Sequence, residues 1–293
     1  MPHYIEPLFR PPSEARSLIF QITIGCSQNQ CRFCGMYKGK KFHVRPLQDI
    51  LAEIAEISAL YRPRIDRIFL ADGDALIYPF DDLCVILDAL TATFPALTRV
   101  ASYASPNSLT NKNALQLSKL RAKRLKILYF GLESGDDATL LAVNKGFNSE
   151  RMAELALAAR EAGMKLSVTA ILGLAGRGRS LQHARATAEW VNRVNPEFFS
   201  LLTMFHRHND DYVRSLQLCT RRELMLETRE MLEHLHPAKT ILRSNHVSNF
   251  LNLSGSYPKD RERLIFDVDT ALKHAAVRAG FLDEVPVYQE EHY

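Results

Sequence analysis

The sequence predicts an α/β fold: parallel strands alternate with helices in a partial (β/α)6 barrel, and a carboxy-terminal strand/helix appendage follows. Three observations predict it. Apolar runs of strand length alternate with stretches of helical periodicity for most of the chain. The strand runs end in polar or glycine-rich exits, and Asp, Gly and Ser are residue types that turn a strand into a helix. After about residue 237 this alternation lapses.

Residues 17–24 are rich in β-branched and aromatic side chains and run straight into a cysteine-bearing loop. Leu47, Ile50, Leu51, Ile54 and Ile57 then mark one face of a helix. Residues 67–71 read as the second strand, and a helix opened by Asp81 or Asp82 carries Leu83, Ile86, Leu87 and Leu90. A strand at 98–103, a helix at 112–123, a strand at 126–131 and a helix at 149–162 follow, the last closed by Gly163 as its C-cap. Then come a strand at 165–172, a helix at 181–194 and a sixth strand at 197–203. Thr220 and Glu223 form a capping box before a helix bearing Leu224, Met231, Leu232 and Leu235.

Right-handed crossovers make such a sheet parallel and curl it towards a barrel. Six strands fall short of the eight of a complete barrel, so residues 1–236 are expected to form a partial, TIM-like one. In residues 237–293, the stretch 240–249 reads as a strand or extended segment. Residues 261–276 read as an amphipathic helix with Leu264, Ile265, Val268, Ala271 and Leu272. No linker rich in Gly, Ser or Pro precedes them, which makes them an appendage on the same domain.

The 293 residues are 46% hydrophobic and 24% charged, ordinary values for a globular protein with a large core. A net charge of +4 is compatible with an anionic substrate and gives no reason to expect nucleic acid. Prolines and charges fill the amino terminus where a signal peptide needs an apolar run. No run approaches the roughly 18 apolar residues of a membrane span. Five cysteines, three of them crowded together, do not make a disulfide framework. The expected location is the cytoplasm.

Cys26, Cys31 and Cys34 stand in a C-x4-C-x2-C pattern immediately after the first strand. Three thiolates from one short loop can hold three corners of a [4Fe–4S] cluster and leave the fourth iron open. Zinc is the alternative, but a closed zinc site asks for four protein ligands, and His43 is the nearest histidine to supply one. In a parallel barrel the chemistry sits at the carboxyl ends of the strands. Those ends carry Asp72-Gly73-Asp74, Ser102-Tyr103, Glu133 within Gly131–Gly135, and Gly173-Leu174. Each exit alone also reads as ordinary capping chemistry: Asp72 and Asp74 as helix caps, Glu133 as a turn carboxylate. Cys84 and Cys219 read as small packing residues, and His206-Arg207-His208 as a solvated basic loop.

With the cysteine triplet, these exits resemble the radical SAM superfamily over residues 17–204. The segment GLESGDDATLLAVNKG at 131–146 resembles the branch of the anaerobic coproporphyrinogen dehydrogenases and their haem-chaperone relatives. The resemblance implies that Cys26, Cys31 and Cys34 bind a [4Fe–4S] cluster whose open iron chelates S-adenosylmethionine. It implies that Phe33 lies near the adenine and that Asp72, Gly73 and Asp74 meet the methionine ammonium. Glu133, with Ser102 and Tyr103 nearby, would contact the ribose, and Lys145 the methionine carboxylate. Thr169, Gly173 and Leu174 would complete the adenosine wall. Two departures from the family pattern stand out: the first two cysteines are one residue further apart than usual, and Asp74 is one methylene shorter than the usual Glu.

The implied activity is reductive cleavage of S-adenosylmethionine and hydrogen abstraction from a small-molecule substrate. An external electron donor such as flavodoxin or ferredoxin would serve it. The alternative is a cluster-bearing binding protein that carries haem or another cofactor. The polar stretch Arg243-Ser244-Asn245-His246-Val247-Ser248-Asn249 is expected at the open side near the strand ends, with Arg243 or His246 facing substrate. Its plainer reading is a seventh strand that closes the sheet.

Overall fold

The computed structural model describes residues 3–275 and 280–286. The fold is α/β, with eight strands forming one mostly parallel sheet. The chain divides into two compact units, Met1–Asn29 with Met36–Phe130 and Glu154–Leu166, and Gln30–Gly35 with Gly131–Ala153 and Ser167–Tyr293.

The first unit begins with β1 (Leu18–Gln21), followed by a small antiparallel ribbon of β2 (Thr23–Ile24) and β3 (His43–Val44) that brackets the cysteine loop. Then come α1 (Leu47–Glu56), β4 (Arg67–Ala71), α2 (Phe80–Thr93), β5 (Arg99–Ala104), α3 (Pro106–Thr110), α4 (Ala114–Ala122) and β6 (Leu125–Glu133). β1, β4, β5 and β6 pair side by side in parallel. Because side chains alternate across a strand, Ile68, Leu70, Val100, Leu128 and Phe130 bury themselves on one face. Ile19, Phe69, Ala71, Ala101 and Tyr129 gather on the other, with Leu8, Tyr103 and Ile127 against them.

The amino-terminal segment lies along that second face, a placement without a signature in its own residues. Tyr4 donates to Ile19 O at 3.0 Å, and Gln21 exchanges hydrogen bonds with Ile5 N–H and C=O. The buried Glu14 receives both Arg99 at 2.7 Å and the Tyr129 hydroxyl at 2.6 Å. Tyr129's proton is accordingly held more tightly than usual, by burial first and by Glu14 second.

The chain continues with α5 (Asp137–Ala142) in the second unit, α6 (Ser149–Glu161), most of which belongs to the first, and β7 (Lys165–Leu172), and then with α7 (Ser180–Val194), β8 (Phe198–Thr203), α8 (Asp210–Arg214) and α9 (Arg221–His234) in the second. It ends with β9 (Thr240–Ser244), β10 (Leu253–Tyr257) and α10 (Arg261–Ala275). Thr220 and Glu223 make the capping box of α9 as expected. β7, β8 and β9 run parallel, and β10 returns antiparallel on β9. The appendage therefore opens with a strand, Thr240–Ser244, that joins the parallel run. The following strand, Leu253–Tyr257, was not expected. Its sequence, LSGSY, carries only two buried apolar side chains, Leu253 and Tyr257, so it shows little of the usual strand signature. The last residue of the expected 261–276 helix lies outside the described residues. Among the described residues no helix is long and apolar enough to cross a membrane.

Candidate cofactor site

In the first unit the β4 exit and the start of the cysteine loop are bolted together. Asp72, fully buried, accepts through Oδ2 from Gln21 Nε2 at 3.1 Å, the Gly25 N–H at 3.1 Å and Lys40 Nζ at 2.9 Å. Lys40 also donates to Ile5 O and Pro7 O, which ties the amino-terminal segment to the same carboxylate. The other oxygen, Asp72 Oδ1, is buried and has no hydrogen-bond partner among the described residues. Gly73 allows a close approach: a Cβ there would sit 2.5 Å from the Tyr37 ring and 2.9 Å from Cys26 Cβ. Cys26 Sγ lies 3.8 Å from Gly73 O.

Asp74 is fully buried, and its oxygens are already engaged. Oδ1 accepts from the Ser105 N–H at 2.9 Å, and Oδ2 accepts from Ser105 Oγ at 2.7 Å and from Ser27 Oγ. Burial pushes its proton affinity up, against these bonds. Asp74 thus joins the cysteine loop to the N-cap of α3. Nearby, burial lowers Lys112 to about 8, while Asp74 acts in the opposite direction. Ser102 and Tyr103 are adjacent on β5 and so face opposite ways. Tyr103 packs edge-on against Phe69 at 4.9 Å, whereas Ser102 is fully buried with its hydroxyl on Tyr103 O.

In the second unit the far limb of the cysteine loop is held by other elements. Arg32 N–H donates to Val143 O at 2.8 Å, and its guanidinium lies 5.4 Å from the Tyr212 ring centroid. Asn209 Nδ2 donates to Phe33 O at 2.7 Å and to Phe205 O at 2.8 Å. The structure brings Phe33 and Leu174 into one apolar cluster with Val143, Ile171, Met204 and Tyr212. Glu133 and Lys145, twelve residues apart, form an ion pair at 3.1 Å. Glu133 takes a positive φ of 66°, rare for a residue with a Cβ. Thr169 is half-buried on β7, and Gly173, with a φ of 76°, turns the chain out of that strand.

His246 stands at the end of β9, edge-on to Phe205 at 5.8 Å, with Nδ1 2.8 Å from Ser248 Oγ. Arg243 instead reaches over the Phe198 ring near the start of β8. The sequence reading missed Asn209 and Tyr212. Asn209 is the residue before α8 and Tyr212 lies within it, where only their types, an amide and an aromatic among charged residues, set them apart.

Among the described residues no three His, Cys, Asp or Glu side chains gather as one metal ion requires. A single zinc needs its sulfurs on one shell about 2.3 Å in radius, whereas a cluster spreads its thiolates over separate irons. His43, the proposed fourth zinc ligand, is exposed on β3 with Nδ1 3.2 Å from Lys41 O. Three soft donors within nine residues, the close approach at Gly73 and the spare acceptor at Asp72 Oδ1 fit a cluster beside a cationic ligand.

A parallel α/β sheet whose cysteine loop follows its first strand defines a class of cofactor-dependent barrels. The chain belongs to the radical SAM superfamily, whose signature it matches over residues 20–191. No curated protein matches the sequence. Among solved structures, the chain is similar to coproporphyrinogen III oxidase (HemN) from Escherichia coli, a radical SAM enzyme. The TM-score is 0.59 at 18% identity, covering 76% of this chain and 53% of that one. It is also similar to HydG, a maturase of the [FeFe]-hydrogenase, with a TM-score of 0.52 at 14% identity, covering 86% of this chain and 54% of that one. The methyltransferase TsrM from Kitasatospora setae follows with a TM-score of 0.51 at 17% identity, covering 64% and 36%. The chain spans about half the length of the first two. These likenesses concern the fold.

Proposed function

We propose that the protein is a radical SAM enzyme that binds a [4Fe–4S] cluster through Cys26, Cys31 and Cys34 and abstracts hydrogen from a small-molecule substrate. The observation that carries this reading is the C-x4-C-x2-C loop in a chain of this superfamily, with Cys26 set against Gly73. When bound and reduced by an external donor such as flavodoxin or ferredoxin, the cluster supplies the electron that cleaves S-adenosylmethionine to methionine and a 5′-deoxyadenosyl radical. The chain's own residues bind and orient the cofactor. Asp72 Oδ1 and the Gly73 backbone would receive the methionine ammonium, with Asp74 bracing the loop from behind. Lys145 would take the methionine carboxylate and Glu133 the ribose. Phe33, Tyr103, Thr169, Gly173 and Leu174 would wall the adenosine, and Ser102 would support Tyr103 from the other face of β5.

The test is anaerobic reconstitution, followed by incubation with dithionite and S-adenosylmethionine and quantification of 5′-deoxyadenosine. Slow formation without added substrate is the expected result. A fully iron-loaded protein that never yields 5′-deoxyadenosine would sink the reading.

A further inference from the structure

The second unit contains a buried polar network that the proposed cofactor chemistry does not use. Glu227 on α9 is fully buried. Its Oε1 accepts the Gly173 N–H at 2.9 Å, and its Oε2 accepts the Ser180 hydroxyl at the start of α7. His183, one turn along α7 and also fully buried, has Nε2 3.5 Å from Glu227 Oε1. Its Nδ1 lies 2.7 Å from Ser134 Oγ, and that hydroxyl oxygen in turn accepts the Asp136 N–H at 2.9 Å. His183 thus shares a hydrogen bond with Ser134 through Nδ1, and its Nε2 lies beside Glu227 Oε1 at 3.5 Å without making a hydrogen bond to it.

The network ends on two strand exits. One is Gly173 at the end of β7. The other is Ser134-Gly135-Asp136 at the end of β6, directly after Glu133. α7 presses on this second exit at two further points. The Gly135 N–H donates to Thr187 Oγ1 at 2.9 Å, and a Cβ on Gly135 would sit 2.2 Å from Ala186 O. Both exits hold backbone that must be kept in place: Gly173 has a φ of 76°, and Glu133 holds 66° with a side chain. Glycine takes that conformation freely, but a residue with a Cβ, such as Glu133, persists in it only where the surroundings over-determine it. A buried carboxylate is a costly way to fill space, since a hydrophobic residue of similar volume is often as stable or more so. What an apolar residue cannot do is hold an amide and a hydroxyl at fixed points.

We infer that Glu227, acting through the Gly173 amide and through His183 and Ser134, is a positioning residue that sets the two strand exits flanking the adenosine. The inference rests on the cofactor reading above for the ligand, but not for the positioning. Two readouts separate the two. The first is hydrogen–deuterium exchange of the peptides spanning 131–137 and 171–176 in the protein without S-adenosylmethionine. The second is the Kd for S-adenosylmethionine of the cluster-loaded protein, with iron content measured alongside.

E227A should speed exchange in both peptides and raise Kd about tenfold, the scale of a lost buried hydrogen bond, with iron content unchanged. E227Q keeps an acceptor for the Gly173 N–H and should restore most of both. If E227A does not fold, S180A removes one bond to the same carboxylate without removing the carboxylate, and it should shift both readouts in the same direction. Folded E227A with wild-type exchange in both peptides would overturn the inference. So would E227Q behaving as badly as E227A. Wild-type protein that holds iron but binds no S-adenosylmethionine would instead overturn the cofactor reading, and the exchange experiment would still decide the positioning role.

Discussion

A methyl group at Gly73 would enter the Tyr37 ring, and that ring has no room to retreat: Tyr37 is buried, with the Phe9 ring edge-on at 5.6 Å. The displacement would pass to Cys26, whose Cβ is the next atom met. G73A is therefore expected to lose most of its iron on anaerobic reconstitution. G178A, where an added Cβ meets nothing within 4 Å, should load normally. Equal iron contents in the two variants would show that the close approach at Gly73 does not shape the cluster loop. At the cysteines, wild-type protein should hold about four irons and four sulfides per chain. C26A, C31A and C34A should each abolish the cluster, and C84A and C219A should not. Asp74 shows what sequence could not resolve. Its place in the motif was legible, but the occupation of both its oxygens by Ser27 and Ser105 was not, because those partners lie 47 and 31 residues away. D74A takes the acceptor from the buried Ser105 hydroxyl and leaves the Ser105 N–H with Ser108 Oγ alone, so it should cost about 1–3 kcal/mol of stability in urea unfolding.

Between helices, the pairing of α7 with α9 makes an unusual titration. Burial raises Glu227 from 4.5 to about 7 and lowers His183 from 6.5 to about 4. Between pH 4.5 and 6.5 the folded pair carries its one proton on Glu227, and the unfolded pair carries its one proton on His183. Equal proton counts mean that the pair adds no slope to stability against pH in that window. The other titratable groups nearby keep their charge there. Cys219 is pushed up to about 12 by burial and by Glu227. Despite burial, Asp136 is held low by Arg179, and Glu223 by its bonds to Thr220 and by Arg177. Removing one member exposes the other. E227Q leaves His183, whose unfolded form binds the extra proton, so stability should rise with pH from about 4 to 6.5. H183Q leaves Glu227, whose folded form binds the extra proton, so stability should fall as pH rises from 4.5 to about 7. Each slope is at most about 1.4 kcal/mol per pH unit. Urea midpoints at pH 5, 6 and 7 check this, and slopes of the same sign in both variants would refute it. The β–α alternation that built these helices was legible because it is periodic. The pair was not, although its signal is present in retrospect. His183 and Thr187 share the buried face of α7 with Ala184, Ala188 and Val191, and Glu227 sits between Leu224 and Met231 on that of α9. A polar residue in an apolar phase marks a buried partner that sequence alone cannot name.

At the scale of the whole chain, the sheet runs on through β9 and turns back at β10, and the connection between them lies where the parallel strands end. That connection is anchored to the end of β8. Asn249 donates to Leu201 O at 2.7 Å and to Ser244 Oγ at 2.8 Å, and it accepts from Thr203 Oγ1 at 2.9 Å. Ser248 Oγ accepts the Thr203 N–H at 3.0 Å. Thr240–Ser244 is a strand, and the residues after it form a pinned polar loop at the strand ends. The two candidate substrate residues separate. His246 stays at the strand end beside Phe205, its pKa lowered by burial, while Arg243 turns back over Phe198. A radical enzyme must shield its reactive carbon from stray hydrogen donors, and a rigid loop at this end is suited to admit one substrate and exclude others. H246A and N249A should therefore keep the cluster and the slow, substrate-free formation of 5′-deoxyadenosine. Both should lose the stimulation of that reaction by a small-molecule extract containing the native substrate. R243A should keep that stimulation and lose only about 0.5–2 kcal/mol of stability, the worth of a half-buried cation–π contact. Loss of stimulation in R243A alone, with H246A unaffected, would move the substrate site away from this loop.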